Sequence, residues 1–182
     1  NKYDGYSFAV YEGDQMGGQT IQALLEDDAG NLWIGTDNGL PLFNRKTGVM
    51  TTFHHDPENN ASLVHDDITD LLQDREGKIW IGTRQGLCYY DDSLQTFTRF
   101  LHLPQDNTPL RSNAILDMKY DGAHQLWLGT RIGLIRFDLR TYAAKRYYHL
   151  PGDRATIPDN MKQEILIEKP GYLWVGTMNG LC

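Results

Sequence analysis

Leu32-Trp33-Ile34-Gly35-Thr36-Asp37-Asn38-Gly39-Leu40 decides how the rest of the chain is read, because it recurs. Ile79-Trp80-Ile81-Gly82-Thr83 is followed by Gly86-Leu87, Leu126-Trp127-Leu128-Gly129-Thr130 by Gly133-Leu134, and Leu173-Trp174-Val175-Gly176-Thr177 by Gly180-Leu181. The tryptophans at 33, 80, 127 and 174 are spaced by a constant 47 residues. A constant period of this size marks a repeat architecture. Residues that repeat belong first to a scaffold, so function is expected where the copies differ.

Outward from the tryptophan phrase, each unit reads as four short strands. Ahead of it are apolar runs, Ile21 to Leu25 and Ile68 to Leu72, ending in acidic, glycine-containing turns at 26–31 and 74–78. Short apolar runs bounded by such turns read as buried strands joined by hairpins. The tryptophan phrase is the second strand. Thr36-Asp37-Asn38-Gly39 is a turn in which Gly39 is free to take positive φ. Residues 40–43, 87–90 and 134–137 form the third strand, and 49–53, 95–100 and 144–148 the fourth. Four strands per repeat without an amphipathic helix describe an all-β chain, a β-propeller of four-stranded antiparallel blades.

In such blades the tryptophan ring can wedge between neighbours, and burying it is worth about 2–3 kcal/mol or more. The glycine two residues later lets neighbouring backbone approach closely. A sugar-stacking stripe is the alternative reading of the tryptophans. The linker between units is periodic as well, with His55, His102 and His149, then Pro57, Pro104 and Pro151, then Asp66, Asn113 and Asn160. Three equivalent histidines invite a metal reading. Ligands about 2.1 Å from one ion cannot come from the outer strands of separate blades, so these histidines and the His54-His55-Asp56 run are read as structural. Asn60-Ala61-Ser62 matches the glycosylation pattern, a common chance match.

Composition excludes some classes. A chain of 182 residues with 40% hydrophobic residues is globular, and its net charge of −7 gives no basic face for nucleic acid. No apolar run approaches the roughly 18 residues of a membrane helix, and Asn1-Lys2-Tyr3-Asp4-Gly5 is no signal peptide. Cys88 and Cys182 hold the same place two units apart. That is too far for a disulfide, whose Cα atoms lie within about 7 Å, so both are read as small apolar residues at the start of a strand.

The phrase at 26–40, with its copies at 73–87, 120–134 and 167–181, resembles the two-component regulator propeller repeat. The linkers ending Leu63…Asp66-Asp67-Ile68 and Leu110…Asn113-Ala114-Ile115 fit the same pattern. The third copy departs at Asp121-Gly122-Ala123-His124 and the fourth at Lys169-Pro170-Gly171, both tolerable turn changes. The resemblance implies the periplasmic sensor region of a hybrid two-component system of gut bacteria. Such a sensor binds oligosaccharides and signals to a histidine kinase that is not in this chain. Membrane attachment would come only through downstream regions, and sensor dimers are a further expected partner state.

Residues 1–182 are therefore expected to be one propeller segment of about four blades. Tyr6 lies 47 residues before Phe53, so the chain opens on a fourth strand, and it stops at the start of a third. A fragment of a larger propeller is the favoured expectation, over a closed four-bladed ring and over edge pairing between two chains. The turns after the second strand differ between copies: Asp37-Asn38, Arg84-Gln85, Arg131-Ile132 and Met178-Asn179. Asp37, Asn38, Arg84, Gln85, Arg131 and Asn179 are the candidate ligand residues, since mixed carboxylate, amide and guanidinium groups suit hydroxyl-rich or anionic sugars. Asp66, Asp67, Arg111 and Asn113 in the preceding loops are expected at the same face. No nucleophile elbow, HExxH or phosphate loop occurs, so no catalytic residue, metal or cofactor is assigned. A non-catalytic sensor is favoured over an interaction scaffold and over a glycan-active propeller enzyme.

Overall fold

Every turn expected between strands joins two neighbours of an antiparallel sheet. The computed structural model describes residues 2–3, 5, 8–9, 20–101, 114–169 and 171–182. Lys2–Tyr3 (β1) pairs with Phe8–Ala9 (β2) in a short hairpin. The first blade consists of Ile21–Glu26 (β3), Leu32–Thr36 (β4), Leu40–Asn44 (β5) and Val49–Phe53 (β6). The second consists of Ile68–Gln73 (β7), Ile79–Thr83 (β8), Gly86–Asp91 (β9) and Thr96–Phe100 (β10). The third has Ile115–Tyr120 (β11), Gln125–Thr130 (β12), Gly133–Asp138 (β13) and Ala144–Tyr147 (β14). Lys162–Lys169 (β15), Tyr172–Thr177 (β16) and Gly180–Leu181 (β17) make a three-stranded fourth sheet. In each, strands pair in simple chain order.

Lys2–Tyr3 is extended where a fourth strand was expected, but it pairs with β2 and not with the last sheet. A partner a few residues away closes a far smaller loop than one at the other end of the chain. Tyr6 lies outside the described residues.

First strands of successive blades lie side by side, β3 against β7, β7 against β11 and β11 against β15, so the first strand is the inner one. Each carries a β-bulge at its start, between Ile21 and Ala23, Ile68 and Asp70, Ile115 and Asp117, and Lys162 and Glu164. A bulge re-aims the side chain that follows it. Asp70 Oδ2 thereby accepts the backbone N–H of Met118 at 2.7 Å, and Asp117 Oδ2 that of Ile165 at 2.7 Å. Each bond joins one blade to the next.

The cores lie between blades. Trp33 and Leu40 of the first blade bury with Ile68, Ile81, Cys88 and Tyr90 of the second. Trp80 and Leu87 bury with Ile115, Leu128, Ile135 and Phe137 of the third. The tryptophans are the wedges expected, with ring centroids 5.2 Å from Tyr90 for Trp33 and 5.9 Å from Phe137 for Trp80. The glycines two residues after Trp33 and Trp80 make room for a side chain of the next blade, where the sequence suggested approaching backbone. A Cβ on Gly35 would meet Ile68 Cγ2 at 2.8 Å, and one on Gly82 would meet Ile115 Cγ2 at 3.0 Å.

At the two ends of the stack the same positions are open. Leu24 is 61% exposed, although its counterparts Leu71, Met118 and Ile165 are buried. Trp174 is 44% exposed and Leu181 is exposed too. Cys88 is buried, as expected, and burial pushes its thiol up to about 12. Cys182, at the same place in the fourth sheet, is exposed, since no further blade packs over it among the described residues.

Candidate functional site

The turns joining second and third strands are built alike in all four sheets. The hydroxyls of Thr36, Thr83, Thr130 and Thr177 donate to the carbonyls of Gly39, Gly86, Gly133 and Gly180 at 2.7–2.9 Å. The same hydroxyl oxygens accept the backbone N–H two residues on, from Asn38, Gln85, Ile132 and Asn179, at 3.1–3.3 Å. Gly39 takes φ 113°, as the turn demands. A threonine placed two residues before the variable pair's second member thus closes the turn from within, and leaves the two intervening side chains unconstrained by the core.

Three of the four turns are also tied to the loop that precedes their blade's inner strand. The N–H groups of Asp37, Arg84 and Met178 donate to the carbonyls of Thr20, Asp67 and Met161 at 3.2, 3.1 and 3.2 Å. The two sets of loops therefore share one face, as expected. Asp37, Asn38, Arg84, Gln85, Arg131 and Asn179 are all exposed on it.

Side chains on this face are partly pre-arranged. Asp37 Oδ1 accepts the N–H of Thr20 at 3.3 Å. Arg84 Nε lies 3.6 Å from Asp67 Oδ2, while Asp67 Oδ1 accepts from Gln22 Nε2 of the first blade at 2.8 Å. Asn179 Nδ2 donates to Asp159 Oδ2 at 2.7 Å. Arg84, Asp67 and Gln22 form one polar cluster spanning two blades. Arg131 and Asn179 belong to the turns of the third and fourth blades. Gln22 and Asp159 were not legible in the sequence. Gln22 is the bulge residue of β3, and nothing periodic announces a bulge. Asp159 precedes the periodic Asn160 but has no acidic counterpart at His65.

Asp66, expected on this face, does other work. Its Oδ1 accepts the backbone N–H of His55 at 2.6 Å, and His55 Nδ1 donates to the carbonyl of Leu63 at 2.8 Å. Asn160 and His149 repeat the arrangement, with His149 Nδ1 on the carbonyl of Ile157 at 2.9 Å. A carbonyl only accepts, so both rings carry the proton on Nδ1. These histidines staple their own loops and do not converge. His102, Pro104, Arg111 and Asn113 lie outside the described residues.

The acidic turns have a role that their composition alone did not disclose. Trp33, Trp80 and Trp174 donate their indole N–H to Asp27, Asp74 and Glu168 at 2.9, 2.8 and 2.9 Å. The signal was present as an acid six residues before each tryptophan. Burial works to raise the Asp27 carboxyl, but hydrogen bonds from Asn31 and Trp33 hold it below the usual range.

Comparison with known proteins agrees with this architecture. The two component regulator propeller family model matches residues 15–38 and 62–85, equivalent stretches of successive repeats. The chain is similar to the extracellular domain of a hybrid two component system from B. thetaiotaomicron, with TM-score 0.74 and 22% identity over 99% of this chain and 23% of that one. A second such domain from the same organism gives TM-score 0.51 and 21% identity over 88% of this chain and 26% of that one. Virginiamycin B lyase from Staphylococcus aureus gives TM-score 0.64 and 13% identity over 95% of this chain and 57% of that one. The chain thus spans 23% and 26% of the two extracellular domains. At such identities the likeness is one of fold, and the fold is the β-propeller. No curated protein matches the chain.

Proposed function

We propose that this chain is a non-catalytic, ligand-sensing segment of the extracytoplasmic, periplasmic part of a hybrid two-component sensor. Its ligand is an oligosaccharide, read by the face that carries Asp37, Asn38, Arg84, Gln85, Arg131 and Asn179. Signalling passes to a histidine kinase elsewhere in the same system. One observation carries the reading. The turn frame is the same in four blades, yet the pair of residues riding on it is different in each. A frame repeated for stability with variable polar tips is how a scaffold presents a specificity surface. Guanidinium, carboxylate and amide groups supply both donors and acceptors for sugar hydroxyls. The matched repeats and the likeness to extracellular domains of hybrid two component systems support the sensor class.

The test is calorimetric titration of a panel of plant and host oligosaccharides into the wild type, Arg84→Ala and Arg131→Ala. A binding saccharide whose affinity falls at least about tenfold in either variant, about 1.4 kcal/mol, supports the face. Wild-type binding that neither variant weakens removes this face. A panel in which no saccharide binds removes the oligosaccharide class. Reading the gene beyond residue 182 tests the sensor assignment, which requires a membrane span and a kinase.

A further inference from the structure

The residue just ahead of the inner strand is bonded through both its backbone groups in three of the four sheets. Thr20, Asp67 and Met161 hold this place. Their carbonyls accept the turn N–H groups of Asp37, Arg84 and Met178. Their own N–H groups each go to a side chain. Thr20 donates to Asp37 Oδ1 at 3.3 Å, Asp67 to His65 Nδ1 at 3.0 Å and Met161 to Asp159 Oδ1 at 2.7 Å. The same N–H is thus satisfied twice by a carboxylate and once, in the second blade, by an imidazole.

That substitution changes the chemistry of the bond. His65 and Asp159 are equivalent positions, and both accept from the backbone two residues on, as turn-forming aspartates do. A carboxylate goes on accepting until strong acid protonates it. A ring nitrogen accepts only while it carries no proton, so His65 in this arrangement is neutral with its proton on Nε2. The protonated ring donates from both nitrogens. It would set two donors against each other where the structure has a 3.0 Å hydrogen bond. Histidine is the side chain that ordinarily changes charge between about pH 5 and 8.

Much of the variable face hangs on the residue that His65 pins. The Asp67 carbonyl accepts the Arg84 N–H at 3.1 Å. Asp67 Oδ2 lies 3.6 Å from Arg84 Nε, and Oδ1 accepts from Gln22 Nε2 at 2.8 Å. One half-buried histidine therefore fixes the residue that both aims a guanidinium and ties the first blade to the second. The ionisable groups meeting at this junction are Asp66 and Asp67 on the loop, Asp37, His54 and His55 from the first blade, and Arg84 from the second-blade turn. The carboxylates favour a protonated ring and Arg84 opposes it.

We infer that His65 is a positioning residue for the Arg84 turn, holding Asp67 in place while neutral and releasing it when protonated. The variable face then loosens in its second blade as the pH falls through the histidine range, while the Asp159-capped turn of the fourth blade keeps its form. The consequence for a ligand rests on the reading of this face as the saccharide site.

The test is NMR of the isotope-labelled 182-residue chain between about pH 8 and about pH 5. Ring-nitrogen shifts should show neutral His65 protonated on Nε2. Amide protection of Asp67 and Arg84, corrected for intrinsic exchange, should fall by up to about tenfold, the worth of one hydrogen bond, with the midpoint of the His65 ring. Met178 should show no such step. His65→Asn supplies an acceptor that does not titrate, and should keep both amides protected across the range. His65→Ala should leave them weakly protected throughout. A neutral ring protonated on Nδ1 overturns the inference, as does protection that ignores the His65 titration. The same fall in His65→Asn also overturns it, by assigning the effect to His54 or His55. None of these readings needs a ligand, so they decide the role of His65 even if no saccharide binds. A saccharide that does bind should bind more weakly at the acid end in the wild type and not in His65→Asn. Equal affinity at both ends in the wild type leaves the saccharide reading standing and overturns the control by His65.

Discussion

Trp80 and Trp174 occupy the same place in the same phrase, yet Trp80 is 0% exposed and Trp174 is 44% exposed. Their local bonding is alike, with the indole N–H on an acid six residues earlier at 2.8 and 2.9 Å. What differs is the neighbour. Trp80 is covered by Ile115, Leu128 and Phe137 of the following blade, and no such blade covers Trp174 among the described residues. The phrase therefore encodes two separable things, a hydrogen bond made within the blade and an apolar surface offered to the next one. A solitary blade would satisfy the first and not the second, which is why such units stack.

The comparison can be broken by truncation. Trp80→Ala is expected to destabilise the chain by about 3–5 kcal/mol, the range for large aromatic residues in a core. Trp174→Ala should cost about 1 kcal/mol or less, since surface positions change stability little. Urea unfolding of both variants checks this, and equal costs would break the contrast.

Adding a methyl group sharpens it. Gly35→Ala drives a Cβ onto Ile68 Cγ2 at 2.8 Å and Ala23 Cβ at 3.2 Å. The expected loss is about 1–3 kcal/mol, as for other overpacked cores. At Gly176 the nearest atoms are 3.7 and 3.9 Å away, and they belong to Glu164 of the same sheet. Gly176→Ala should therefore unfold at nearly the wild-type urea concentration.

The acid beneath the tryptophan gives a contrast of similar or smaller size. Asp74→Ala leaves a buried indole N–H without its acceptor, which costs about 1–3 kcal/mol. Glu168→Ala leaves an exposed indole that water can satisfy, and its thermal midpoint should hardly move.

The smallest effect separates blades by pH. Asn44, Asp91 and Asp138 cap the turns between third and fourth strands, each accepting two backbone N–H groups. Backbone N–H donation from Thr141, reinforced by Arg140 and by the Gln125 amide, lowers the Asp138 carboxyl from 3.8 to about 2. A depressed folded value means that its stabilisation is present above 3.8 and is lost as the pH falls toward about 2. Asp138→Asn, which copies the uncharged cap of Asn44, should flatten that part of the acid-unfolding curve. An unchanged curve would show that the cap is indifferent to charge.

Most of the fold was legible in the primary structure, because a 47-residue ruler aligns the four strands of every unit and each turn carries its own glycine or acid. The wedge role of Trp33 and Trp80 followed from the same ruler. The bonds between blades did not. Asp70 and Asp117 are one period apart, but only the bulge preceding each aims it at the next blade. Periodicity cannot separate a staple from a surface residue either. Asp66 and Asp67 are adjacent in the chain, and one closes a loop while the other faces Arg84. The variable pairs were found by their failure to repeat, whereas Gln22 and Asp159 were missed because their partners lie in other segments of the fold.

Fluorine NMR of the chain labelled with fluorotryptophan, recorded in light and heavy water, tests most directly whether the next blade sets the fate of each repeat. Trp33 and Trp80 should show no solvent isotope shift, Trp127 at most a small one, and Trp174 a clear one. Four equal shifts would mean that the phrase itself determines burial, and would contradict the account.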